Sequence, residues 1–431
     1  MPRAYPRPPP GMRGAPAGYL VAIDGRRTTV GQDGAIGLWR QGYGWASGVR
    51  AGRPATPVRF LGRRSVVVGG PVGVRRFYDP RLRRAGAIPM PVGRVLFGQG
   101  SVHGLDDEQH HRHKARYLDL LTPAAADELR SRTRHQWEQA ARTWEPGRPF
   151  VLFDEAVRVL TATMLPWAGI PAGPDEVSRR ARQLAAVLDG FARPGPSYAL
   201  AATARRRLDH WAAGLIRAAR EGGLRVPPGS PLDVMAQARE PDGRLPSPRA
   251  AGVALLNVVR PAVAVAWFVA FAGVALVHQP YWRERIAAGD DAALRAFAHE
   301  VRRRYPFVPV LAARARTGQD VLGVDVPAGG YVVLDVHGTD HDPAHWPDPD
   351  RFDPGRFLGP PPEPGTLVPQ GGGALRTGHR CPGEDVTLVL LEEAVRRLAL
   401  LPLELPEQDL TVDLARVPTR PRSGVLLSVA P

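Results

Sequence analysis

The chain has 431 residues, 44% of them hydrophobic, enough for one large core or for two or three smaller ones. Its formal charge of +15 is almost wholly arginine, since Lys114 is the only lysine; the arginines are scattered among Ala, Gly and Pro and form no stripe, which argues against a nucleic-acid partner. With a single cysteine, Cys381, an internal disulfide framework is excluded and a cytoplasmic protein is favoured.

Residues 1–18, MPRAYPRPPPGMRGAPAG, lack the apolar stretch of a secretory signal and read as a disordered, Pro/Arg-rich tail. VRFLGRRSVVVGG, from Val58 to Gly70, reads as two short strands around a Gly-Arg-Arg turn. Helices then dominate. Thr122 stands as an N-cap with Pro123 at the first helical position. Amphipathic stretches follow from Asp154 to Trp167, Asp175 to Phe191 and Leu200 to Glu221.

LLNVVRPAVAVAWFVAFAGVAL, starting at Leu255, predicts a long central helix. The uninterrupted apolar run, Ala262 to Val277, falls short of the ~20 residues of a membrane span, so an interior helix and no transmembrane segment are expected. That helix carries Arg260 and Pro261 side by side: a permanent charge that is costly to bury and a residue that removes a helix hydrogen bond. DAALRAFAHEVRRRY is a further helix closed by Pro306, and GYVVLDV is a strand. No repeat and no change of composition divides the chain. Residues 19–431 therefore read as one domain, mainly α with small β-sheets.

Cys381 lies between a glycine-rich loop and a helix start, in GGGALRTGHRCPGEDVTLVLLEEAVRRLAL. Loop amides and the helix N-terminus favour a thiolate with a lowered pKa. Such a thiolate suits an axial ligand to haem iron; the rival, a thiol nucleophile, needs a partnered histidine. His379 is better placed to meet a haem propionate. Glu300 and Arg303 share one helix face at i,i+3, and Arg356 in FDPGRF can complete a Glu–Arg–Arg network.

In this order, Glu-x-x-Arg, Pro-x-Arg-Phe and the Cys loop resemble the cytochrome P450 superfamily. LLNVVRPAVAV, EVRRRYPF, VLDVHGTDHDP, PQGGG and GHRCPGE resemble its bacterial fatty-acid peroxygenase and decarboxylase branch. The resemblance covers nearly everything after the tail. It implies the single-domain cytochrome P450 fold, with haem b, ligated by Cys381, between the central helix and the Cys loop. Hydrogen peroxide would be the co-substrate and a medium- or long-chain fatty acid the substrate, with no obligatory redox partner.

Oxygen-activating relatives carry an acid–alcohol pair on the central helix; here Arg260, Pro261, Ala262 and Val263 stand instead. Arg260 is expected to hold the fatty-acid carboxylate, which then serves as general acid–base, while Pro261 opens the helix. By the same match, Phe97 and His103 face the carboxylate, and His110, Lys114 and Arg84 meet the haem propionates. The products implied are 2- or 3-hydroxy acids, terminal alkenes, or both. The alternatives are a monooxygenase fed by redox partners and a non-catalytic haem or lipid binder. Two clusters look metal-binding, HHRH and the group His337, Asp340, His341, Asp342 and His345. The first lacks a zinc-like spacing, and the second is expected to be structural.

Overall fold

A computed structural model describes residues 32–431; the tail expected at residues 1–18 lies outside the described residues. Helices dominate, and the strands are β1 (Ala55–Phe60), β2 (Arg63–Val68), β3 (Leu82–Arg83), β4 (Phe150–Val151), β5 (Val310–Ala315), β6 (Gln319–Val321), β7 (Val324–Val326), β8 (Tyr331–Asp335), β9 (Leu403–Glu404) and β10 (Leu426–Val429). The main sheet runs β1-β2-β8-β5-β3, with β2 and β8 parallel and the other neighbours antiparallel. Among the described residues, a three-stranded sheet, β4-β10-β9, and the β6-β7 pair complete the β structure.

The turn between β1 and β2 is Leu61–Gly62, where Gly-Arg-Arg was expected. Both residues are left-handed, with φ of 49° and 75°, the geometry whose twist matches a two-residue hairpin. Asp33 accepts from both turn amides, at 2.9 and 2.6 Å. Arg63 and Arg64 are thereby left in extended conformation and begin β2.

Thr122 caps the helix Pro123–Ala141, its hydroxyl accepting from the Ala125 amide at 3.2 Å. The helices Leu152–Trp167, Pro174–Gly190 and Pro196–Arg220 start slightly before the residues that periodicity marks. In the last two a proline opens the first turn, where an N–H would have no helical partner.

The central helix starts at Pro248, well before Leu255, with the Ser247 hydroxyl accepting from Ala250 at 3.2 Å. It runs to Val263 and resumes as Val265–His278 after an interruption at Ala264. Pro261 has no N–H to offer the Asn257 carbonyl, yet the opening expected at Pro261 appears one turn later. There the Ala264 amide reaches Arg260 O at a long 3.3 Å, and the Trp267 amide turns to Ala264 O at 3.2 Å.

By length and composition Pro248–His278 is apolar enough to cross a membrane, but 78% of its most apolar window is buried inside the protein. That is the pattern of an interior helix. Val265 to Gly273 is buried on every side, as a helix hydrophobic all round requires. Its first part packs on Pro196–Arg220, its second on Leu152–Trp167 and on Glu384–Ala399, the helix behind Cys381. Each such fully buried side chain, Phe268 for example, contributes about 1.5–3 kcal/mol.

Candidate functional site

Cys381 ends a loop shaped around Tyr78. Gly371 and Gly373 have positive φ, and a side chain on either would run into the Tyr78 hydroxyl or ring. The Tyr78 hydroxyl accepts from the Gly372 amide at 2.8 Å. The Cys381 amide donates to Gln370 O at 3.2 Å, and Gln370 Nε2 stands 3.8 Å from Cys381 Sγ. Gln370 is itself held, donating to Thr387 Oγ1 at 2.8 Å and accepting from Arg302 Nε at 3.1 Å. Arg302, 1% exposed, also pairs with Glu384, which accepts from Arg380 Nε at 2.9 Å. The loop is thus bolted to the helix Asp291–Arg304. Burial pushes the Cys381 thiol above its ordinary value, against the lowering expected from the loop amides; the Gly383 amide, Arg302 and Lys114 oppose that rise only in part.

A group of cationic and imidazole side chains adjoins this loop. His110 and Lys114, on the helix Asp107–Leu120, are both buried. Lys114 Nζ donates to Arg380 O at 2.8 Å and to Gly378 O. The His110 ring stacks on His379, centroids 3.8 Å apart. His379 Nε2 lies 3.8 Å from Asp106 Oδ1, and Asp106 accepts from the amides of Arg84 and Ala85 at 2.7 and 2.9 Å. The Arg84 guanidinium lies 4.1 Å over the Phe77 ring.

Burial holds His110 at about 4, helped by Lys114, and Lys114 at about 8 with Cys381 opposing. His379 is driven down by burial and then by His110. Arg84, at about 10, stays charged at neutral pH. Cations gathered beside the protein's one thiol fit a flat dianionic cofactor with carboxylate arms. Arg84, His110, Lys114 and His379 would hold those arms, and Cys381 the iron.

The second half of the site centres on Arg260. It is 5% exposed, its Nη2 donates to Asn257 Oδ1 at 3.0 Å, and its covered Nε has no hydrogen-bond partner. Among the described residues no acid lies within ion-pair distance of it. Burial, then the charge of Arg205, lowers it to about 9, while Tyr117 and Cys381 oppose that fall. The guanidinium is 5.3 Å from the Phe97 ring, which stacks on His103 with centroids 3.9 Å apart. His103 Nδ1 is covered and unbonded, and burial followed by Arg260 and His110 keeps the ring neutral, at about 3. Pro261 follows on the same helix, half-buried. Protonation of His110 would oppose that of His103, and ionisation of Cys381 would favour the charge on Arg260, so the two groups of side chains are electrostatically linked.

The loop bearing Phe97 is clamped from below. Asn257 Nδ2 donates to Phe97 O at 2.9 Å, and Arg205 Nη1 donates to Leu96 O at 3.4 Å. Gly98, with φ of 88°, leaves room for the Arg205 guanidinium, which pairs with Asp209 at 2.6 Å.

Glu300, Arg303 and Arg356 form one network, in which Glu300 and Arg303 are fully buried. Arg303 makes a two-pronged pair with Glu300 at 2.7 and 2.8 Å, Arg356 Nε stands 3.7 Å from Glu300 Oε1, and the Asp353 amide donates to that oxygen at 2.8 Å. The histidine-rich stretch meets backbone groups: His341 bridges His337 O and Arg304 O at 2.9 and 3.1 Å, and Asp340 accepts from Val368 at 2.6 Å. Among the described residues no group of His, Cys, Asp or Glu could hold a metal ion.

Sequence reasoning passed over Arg302, Gln370, Asn257 as a clamp, and Arg205. Arg302 and Gln370 lay within quoted motifs, EVRRRYPF and PQGGG, but their link spans 68 positions.

The family model for cytochrome P450 matches residues 292–388. Cytochrome P450 132 of Mycobacterium tuberculosis is 35% identical over 129 residues, 30% of this chain and only 25% of that protein. Two solved structures match throughout. Cytochrome P450SP alpha (CYP152B1) in complex with (R)-ibuprofen is 35% identical, with a TM-score of 0.88 over 92% of this chain and 98% of that one. A variant of cytochrome P450 OleT in complex with arachidonic acid is 33% identical, with a TM-score of 0.87 over 92% and 96%. Likeness of this extent in both sequence and fold, around one loop thiol, shows that the chain belongs to the cytochrome P450 family, in its fatty-acid peroxygenase branch.

Proposed function

We propose that the protein is a haem-thiolate peroxygenase that uses hydrogen peroxide to oxidise medium- and long-chain fatty acids at the α and β carbons. Its products are 2- or 3-hydroxy acids and terminal alkenes. Family membership implies a cysteine-ligated haem, which supplies the oxidising chemistry when bound. Residues 19–431 then form one catalytic domain, working in the cytoplasm without an obligatory redox partner.

The observation that carries this reading is Arg260. A guanidinium buried to 95% without a counter-ion among the described residues is costly, and its natural partner is an incoming carboxylate. Both solved relatives named above hold carboxylic acids as ligands. From Val258 to Val265 the central helix offers no acid and no hydroxyl, so no side chain there can relay a proton. The carboxylate paired with Arg260 can: it accepts a proton from one oxygen of hydrogen peroxide and returns it to the oxygen that leaves as water. Phe97 flanks the guanidinium and excludes water from the pair.

His103 sits one ring away. Carboxylate binding offsets the Arg260 charge that helps keep its imidazole neutral, which readies Nδ1 or Nε2 to share a proton with the carboxylate.

The test feeds dodecanoic acid to the haem-loaded protein with hydrogen peroxide in one arm, and with reduced nicotinamide and a ferredoxin system in the other. Hydroxy acids or alkene with peroxide alone are expected. Turnover only with the electron donors would replace this reading with a conventional monooxygenase, and turnover in neither arm would leave a binder.

A further inference from the structure

Asn257 lies one turn before Arg260 on the central helix and is 7% exposed. All of its amide hydrogen-bonding groups are engaged. Nδ2 donates to Phe97 O at 2.9 Å and to Val253 O at 3.0 Å, while Oδ1 accepts from Arg260 Nη2 at 3.0 Å. The amide can face only one way, because exchanging its ends would set oxygen against two carbonyls and an NH2 group against a guanidinium.

One side chain therefore touches both the guanidinium and the backbone of the loop that brings Phe97 and His103 beside it. The residue type matters on both counts. An aspartate would give Arg260 a permanent internal counter-ion and face two carbonyl oxygens with negative charge. An aliphatic residue would leave a long, flexible cation undirected.

We propose that Asn257 is a positioning residue for carboxylate capture. Its oxygen sets the direction of the Arg260 guanidinium before ligand arrives, and its nitrogen locks that guanidinium to the Phe97–His103 loop. This rests on the reading of Arg260 as the carboxylate anchor. Directing the cation in advance removes an ordering cost from binding, so the gain appears for ligands with a carboxylate and for no others.

The experiment titrates haem-loaded wild type, Asn257→Leu and Asn257→Asp by calorimetry with dodecanoate and, separately, dodecan-1-ol. Haem content and the reduced carbon-monoxide spectrum check loading. Asn257→Leu is expected to weaken dodecanoate about tenfold, the worth of one charge-assisted hydrogen bond, and to leave dodecanol unchanged. Asn257→Asp, nearly isosteric, is expected to weaken dodecanoate further, since the introduced carboxyl competes for the same guanidinium; it carries the test alone if the leucine variant does not load haem. Undiminished dodecanoate affinity in either variant overturns the inference. So does an equal fall for acid and alcohol, which would mean that Asn257 only packs the loop. A wild-type protein that binds acid no better than alcohol overturns the anchor itself along with it.

Discussion

Replacing Arg260 by leucine separates what the guanidinium costs the fold from what it gives the ligand. Burial lowers its proton affinity from the ordinary arginine value to about 9. At about 1.4 kcal/mol per tenfold, keeping the charge there costs the ligand-free protein up to about 5 kcal/mol. Leucine removes that cost but orphans Asn257 Oδ1, a loss of about 1–2 kcal/mol. The balance favours the variant by up to about 3–4 kcal/mol, so ligand-free Arg260→Leu is expected to melt a few degrees above wild type. Fatty-acid binding moves the other way. A carboxylate buried without its cation loses about 3–5 kcal/mol, which is more than a hundredfold in Kd. Differential scanning of haem-loaded protein, with and without dodecanoate, reads both effects: the variant starts higher and no longer rises with ligand. A variant that melts lower and still binds and turns over fatty acid would show that the arginine is structural and that the carboxylate goes elsewhere.

Cys381→Ala is expected to lose the thiolate-type carbon-monoxide spectrum and all peroxide-driven oxidation while circular dichroism keeps its helical form; retention of that spectrum would assign the iron to another ligand. His103→Gln should lower the ratio of terminal alkene to hydroxy acid, measured by gas chromatography after reaction with a saturated long-chain acid; an unchanged ratio would show that the imidazole does not steer the branch. Glu300→Gln leaves Arg303 without its two-pronged partner in a fully buried place and is expected to cost about 3–5 kcal/mol in urea unfolding, with fatty-acid affinity unaffected. Acid stability follows from His337, which burial holds at about 3 against an ordinary 6.5. The unfolded chain protonates first, so this contribution is complete above pH 6.5 and drains away as pH falls toward 3. Between pH 7 and pH 5 it amounts to about 1–2 kcal/mol, and the pH dependence should shrink by that much in His337→Gln.

How much of the fold is legible in the sequence follows from the range of the forces involved. Thr122 and Pro123 mark a helix start because a cap acts on amides within three residues, and the interior helix is legible from an apolar run too continuous to face water. The sequence points to a turn one residue late because glycine alone signals a turn, while Leu61 adopts its positive φ under the two amide bonds that Asp33 accepts. Pro261 announces a disturbed helix, but where the disturbance surfaces depends on which amide next finds a carbonyl, here Ala264.

The site divides along the same line. Cys381 and Arg260 stand out because each contradicts its surroundings, a lone thiol among glycines and a lone charge in the apolar run from Leu255. The groups that make them work do not stand out: Gln370 and Glu384 lie 68 and 82 positions from Arg302, and Phe97 lies 160 from Asn257. The lowering of the Cys381 pKa expected from nearby amides is reversed because burial, a property of the whole fold, outweighs one amide of the loop. The same burial makes Arg260 costly to keep and therefore selective for a carboxylate. The protein keeps this buried charge unpaired because Asn257, the side chain that accepts a hydrogen bond from Arg260, directs the charge without neutralising it.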